Sequence, residues 1–104
     1  MRGARSKRYR SYRYKVRQHT EASKARMPAR PAGSTLNHII PVSRAFDMGL
    51  SPEEAGSIQN LEWVPFQENL QQGSRITTES IKVLRRLGRH DLADAREYKL
   101  EQIG

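Results

Sequence analysis

Three short clusters hold residue types that can do chemistry: Asn37-His38, Asn60-Leu61-Glu62-Trp63 and Glu68-Asn69. An imidazole exchanges its proton near neutral pH, and amide and carboxylate oxygens are the donors that hard cations accept. Taken singly, each residue has an ordinary explanation. A histidine beside Ile39 and Ile40 is usually a partly buried structural residue, and asparagine is common in turns. Position in the predicted elements sets these residues apart. His38 ends a predicted first strand, Asn60 opens a second, and Asn69 falls one turn into the helix that follows. A hairpin packed under a helix would bring all three together.

Those elements are read from periodicity and punctuation. A first strand is predicted at Ser34–His38, and Ile39-Ile40-Pro41 turns away because Pro41 cannot donate to a ladder. Ser51-Pro52-Glu53-Glu54 is a helix start: a cap, a proline suited to the first turn, and two acids at the positive dipole end. That helix is brief, since Gly56 and Ser57 follow. A second strand fits Leu61–Phe66. A helix over Gln67–Gln72 then ends at Gly73. Thr77 or Thr78 caps another helix, whose Ile81, Leu84 and Leu87 form an apolar stripe up to Gly88. Asp91 caps the last one, with Leu92, Ala95 and Tyr98 facing inward. Trp63 is expected in the core beside Leu61, and Phe46 and Leu50 are expected to anchor the loop 39–59. A two-stranded hairpin is marginal alone, so the helix after the second strand is its natural cover. The fold class expected is α+β.

The chain has 104 residues, no cysteine, 36% apolar residues and a mean hydropathy of −0.84. That length allows a single domain with a modest core. The missing cysteine excludes disulfides, zinc ribbons and thiol catalysis. No stretch approaches the roughly 18 apolar residues of a membrane span. The N-terminus is basic, but no apolar h-region follows it, so it does not read as a secretory signal. The net charge of +8 is uneven: residues 1–30 hold eleven Lys or Arg and one acid, Glu21, while residues 31–104 hold eight bases and ten acids. This division reads as a basic arm, residues 1–30, on a near-neutral body, residues 31–104. A polyanion is the natural partner, bound through counterion release without sequence preference. The candidate phosphate contacts are Arg5, Lys7, Arg8, Arg10, Arg13, Lys15 and Arg17. Helix is expected from Tyr9 to Ala25, before Pro28, Pro31 and Gly33 make an extended linker. The interleaved Tyr9, Tyr12 and Tyr14 either stack on bases or, through Tyr12 and Val16 at i,i+4, form the apolar side of a helix docked on the body.

Two stretches together resemble the HNH, or ββα-metal, nuclease family. Asn37-His38-Ile39-Ile40-Pro41-Val42-Ser43 is similar to the family's Asp-His-Ile-x-Pro-x-Ser. The run from Asn60-Leu61-Glu62-Trp63 to Glu68-Asn69 resembles the corresponding text of phage and intron-encoded HNH homing endonucleases, with the same nine-residue step between its two asparagines. The resemblance covers about residues 34–75. It implies a hairpin-plus-helix metal core, flanked here by the basic N-terminal helix and two C-terminal helices. It also implies that His38 takes a proton from the water attacking a phosphodiester. Asn60 would hold the loop around His38, and Asn37 and Asn69 would offer amide oxygens to one divalent cation. Magnesium is the expected ion, with manganese or nickel as substitutes.

The chain departs from the family where many members carry Asp before the histidine; Asn37 is a neutral and weaker ligand. Lys, common in the family a few residues after the final metal ligand, is also missing here, so Arg44 or Arg75 is the expected hold on the scissile phosphate. The overall expectation is a monomeric, intracellular, metal-dependent endonuclease acting on double-stranded DNA, with no membrane partner. Two alternatives remain open. One is a non-catalytic nucleic-acid-binding module on a degenerate HNH scaffold. The other is an HNH DNase toxin or effector domain, which would need a delivery region and a neutralising partner.

Overall fold

The computed structural model describes residues 2–68 and 76–103. A long helix α1 (Arg2–Lys24) leads through an extended linker to strand β1 (Ser34–His38). Helix α2 (Val42–Met48), the short helix α3 (Pro52–Ala55) and a 3-10 turn (Ile58–Asn60) follow, and strand β2 (Leu61–Pro65) returns beside β1. Residues 66–68 are helical. Helices α4 (Thr78–Arg86) and α5 (His90–Ile103) complete the described chain. The molecule is therefore α+β, with one two-stranded antiparallel sheet among the described residues. Its register pairs His38 with Leu61, Asn37 with Glu62, and Leu36 with Trp63.

Helix α1 is too polar to fold alone, because an isolated helix of this kind gains too little per turn to offset its ordering entropy. Its stability comes from one narrow stripe. Tyr12, Val16 and Thr20, each four residues apart, are buried, with Tyr9 and Ser23 partly buried on the same side. Tyr9 and Tyr12 both meet Phe46 of α2 edge to face, with ring centroids 5.2 and 5.1 Å away. Basic segment and body thus share one core, and Tyr12 and Val16 form the apolar side of a docked helix. The helix starts earlier than expected, at Arg2 rather than Tyr9.

Glycine 56 permits the close seating of α1. A Cβ added there would lie 2.8 Å from both His19 Cβ and the Val16 carbonyl oxygen, and 2.9 Å from the Thr20 nitrogen. The Ser23 hydroxyl donates to the Gly56 carbonyl at 2.7 Å, closing the same contact.

Ser51 caps α3, and Glu54 returns the bond to the Ser51 nitrogen, a full capping box. Thr77 caps α4 with Ser80 as its reciprocal partner. The α4 stripe is Ser80, Ile81, Val83 and Leu84, with Leu87 partly buried, and Gly88 turns the chain at φ +80. Three expectations need correction. Helix α2 was not anticipated; Val42–Met48 follows a proline and has no side-chain cap, so its start carries no sequence signal. In α5 the inner positions are Leu92 and Ala93, whereas Ala95 and Tyr98 are exposed. Trp63 is only partly buried and lies outside the core; its Nε1 donates to the Pro28 carbonyl at 3.0 Å and fastens the linker to β2.

Candidate active site

His38 closes β1 and Asn60 opens β2, so antiparallel pairing sets both at the same end of the hairpin. From there the chain bulges through residues 39–59 and must satisfy its own backbone groups, because Ile40 is fully buried. Asn60 does most of this. Its Oδ1 accepts from the Ile40 nitrogen at 2.7 Å, and its Nδ2 donates to the carbonyls of Ile40 at 3.2 Å and Ala55 at 2.9 Å. Its own carbonyl accepts from the Ile39 nitrogen at 2.8 Å. The Ser80 hydroxyl, from α4, donates to the Ile39 carbonyl at 3.2 Å. All four polar backbone groups of Ile39 and Ile40 are thereby paired, and the backbone leaving His38 is held from two sides.

Strand alternation sends Asn37 and His38 to opposite faces. Asn37 is buried, and its Nδ2 donates to Glu62 Oε2 at 3.0 Å, directly across the ladder. His38 faces α1, where its Nε2 lies 3.0 Å from the buried Thr20 hydroxyl. Burial pushes the imidazole below its usual 6.5, so the ring is neutral at pH 7. A neutral imidazole has one N–H and one lone pair, and the Thr20 contact decides which nitrogen keeps which. If Nε2–H donates to Thr20, Nδ1 is the basic atom.

Beside this ring is a cleft of about 170 Å³, lined by Arg13, Val16, Arg17, Thr20, His38 and Val42. Arg13 and Arg17 stand four apart on one side of α1 and are both exposed. The Arg13 guanidinium lies over the Tyr9 ring, 5.7 Å from its centroid.

The structure brings Asn37, His38 and Asn60 to one end of the hairpin; Asn69 and Arg75 lie outside the described residues. Arg5 lies in α1. Lys7, Arg8, Arg10, Arg13, Lys15 and Arg17 are exposed along it, and Tyr14 is exposed while Tyr9 and Tyr12 are committed to Phe46. Arg44 is exposed on α2 and does not line the His38 cleft; Arg13 and Arg17 do. Sequence reasoning missed Thr20 and gave Glu62, though inside a named cluster, no role. Extending the Tyr12–Val16 stripe by four residues would have found Thr20, and pairing the two predicted strands would have found Glu62. Among the described residues no group of three His, Cys, Asp or Glu side chains gathers as a metal site. No helix among them is long and apolar enough to cross a membrane.

Comparison with protein-family models, with curated proteins and with solved structures finds no match to this chain.

Proposed function

We propose that the protein is a metal-dependent endonuclease of the HNH type, acting on DNA within the cell. The observation that carries this reading is the clamp of Asn60 on the backbone of Ile40, which fixes the segment leaving His38 at the connected end of the β1–β2 hairpin. A merely structural asparagine need not close that loop beside a neutral, half-buried imidazole and two exposed arginines.

In the reaction proposed, His38 takes a proton from water as the water oxygen attacks phosphorus. One P–O bond breaks, leaving a phosphate monoester and a hydroxyl whose proton comes from solvent. The tautomer required has Nε2–H donating to Thr20 and Nδ1 accepting. Asn37 suits a hard cation: with its Nδ2 given to Glu62, its Oδ1 stays an oxygen donor next to a carboxylate. Asn37 and Glu62, joined by Asn69 in the family-like reading, would hold one magnesium ion. Such an ion, when bound, supplies electrostatic stabilisation of the phosphate and the leaving oxygen.

The engagement of Asn37 by Glu62, where the family has an aspartate, is the one observation that favours a binding module without catalysis. Supercoiled plasmid separates the two readings. With magnesium or manganese the protein is expected to nick or linearise it, and a chelator should stop the reaction. His38→Ala should lose about 100- to 10,000-fold in rate while DNA binding persists. Plasmid left intact across metals, pH and salt would sink the nuclease and leave the binding module.

A further inference from the structure

We propose that the cleft between α1 and the end of β1 seats one phosphodiester of a polynucleotide, gripped by Arg13 and Arg17 against the His38 ring. This deepens the nuclease reading by naming where the backbone of the substrate lies. It also turns α1 from a general electrostatic surface into a wall of the site.

Four observations support it. First, the cleft has the right size: about 170 Å³ is room for several waters at about 30 Å³ each, and so for a tetrahedral phosphate group with its remaining hydration. Second, its cations are uncommitted. Arg85, by contrast, holds Asp94 and Glu97, and Arg89 holds Glu54 and Asp91. Among the described residues no carboxylate within 4 Å claims Arg13 or Arg17, and none lines the cleft. Third, the wall is anchored. Thr20 joins it to His38, Ser23 and Gly56 seat the helix on the body, and the Tyr9 ring supports Arg13. The Tyr9 ring limits the freedom Arg13 loses on binding, and the planar guanidinium forks of both arginines suit phosphate oxygens. Fourth, the floor is mixed: Val16 and Val42 are apolar, so an anion there would be partly shielded from water and attracted more strongly than at an open surface.

The chain has three histidines, so the His38 ring can be followed by nuclear magnetic resonance and assigned by substitution. The protein is titrated with a 12-base-pair DNA duplex and, separately, with inorganic phosphate. Three forms are compared: the native chain, Arg13→Gln/Arg17→Gln, and Arg8→Gln/Lys15→Gln, which removes the same charge from the opposite side of α1. Both double variants should lower the salt slope of duplex binding, by about 1 for Arg13→Gln/Arg17→Gln, whose two arginines share one phosphate, and by up to about 2 for Arg8→Gln/Lys15→Gln. Only the first should abolish the duplex-induced shift of the His38 ring. A duplex that binds the native chain without moving His38, or that moves it equally in both double variants, overturns the proposal. A His38 shift with inorganic phosphate alone also overturns it, because the cleft would then take a free anion. Duplex-dependent shifts on a protein that leaves plasmid intact would keep the cleft and discard the nuclease.

Discussion

The Thr20 hydroxyl stands 3.0 Å from His38 Nε2, joining the inner stripe of α1 to the last residue of β1 across 18 positions of sequence. Thr20 is buried and His38 partly so, and the bond therefore fixes the ring and selects its tautomer more firmly than a fully exposed contact would. Thr20→Val keeps the shape and removes the bond. The expected result is a mixture of His38 tautomers in the ring nitrogen spectrum and a fall in cleavage rate with little change in DNA affinity. Thr20→Ser should restore both. A Thr20→Val protein with unchanged tautomer and rate would show that the threonine only fills space.

The depressed basicity of His38 has a signed consequence for stability. The folded protein binds the proton more weakly than the unfolded chain does. Between the ordinary value of 6.5 and the lower folded one, the unfolded chain therefore holds more protons, and stability falls as pH falls through that window. Above 6.5 this contribution is level. Denaturation followed from pH 8 to pH 5 should show the loss in the native chain and a smaller one in His38→Gln. Equal slopes in both proteins would place the pH dependence on other groups.

Asn60 is expected to be a stability residue of the first rank. Asn60→Ala leaves the Ile40 nitrogen and the carbonyls of Ile40 and Ala55 without their partner in a buried setting. At about 1–3 kcal/mol for each buried unpaired group, the loss should be on the order of 3 kcal/mol or more. Asn60→Asp keeps the acceptor but faces a second oxygen to two carbonyls, so it should be destabilising as well. Urea midpoints measure both, and a loss below about 1 kcal/mol in either would deny the clamp its role.

Gly56→Ala tests how α1 is seated. The new methyl would press on Val16 and Thr20 backbone atoms at 2.8 and 2.9 Å, and backbone yields less readily than a side-chain end. Overpacking of this kind costs about 1–3 kcal/mol. Since the helix must lift, the Thr20–His38 bond should weaken with it, so activity and melting temperature should fall together. A variant with native stability would mean that the helix can shift without strain.

Tyr12 carries a buried hydroxyl with no hydrogen-bond partner among the described residues. Burial first, then the Glu54 charge and the neighbouring Tyr9, push its pKa up to about 12. Removing an unpaired buried polar group is neutral or favourable when the ring is kept. Tyr12→Phe should therefore match or exceed the native melting temperature, and a clear loss would reveal a partner for the hydroxyl.

Much of the local structure was legible in the residues themselves. The limits of β1, the cap at Ser51, a cap at Thr77 or Thr78 and the turn at Gly88 follow from short-range rules about proline, caps and positive φ. The Tyr12–Val16 spacing likewise marked the side of α1 that docks. These are contacts made within a few residues, where the chain's own stereochemistry decides.

Tertiary structure alone decided what faces what. Thr20 continues the Tyr12–Val16 stripe, but its meaning comes from His38, which packing brings beside it. Glu62 acquires its role from the register opposite Asn37. Arg13 and Arg17 are two among eleven bases in residues 1–30 until the fold sets a cleft beneath them. Trp63 lies outside the core, with its indole N–H bonded to the Pro28 carbonyl of a linker 35 positions away. Sequence encodes a residue's chemistry and its local geometry, but long-range neighbours are chosen by the packing of the whole chain.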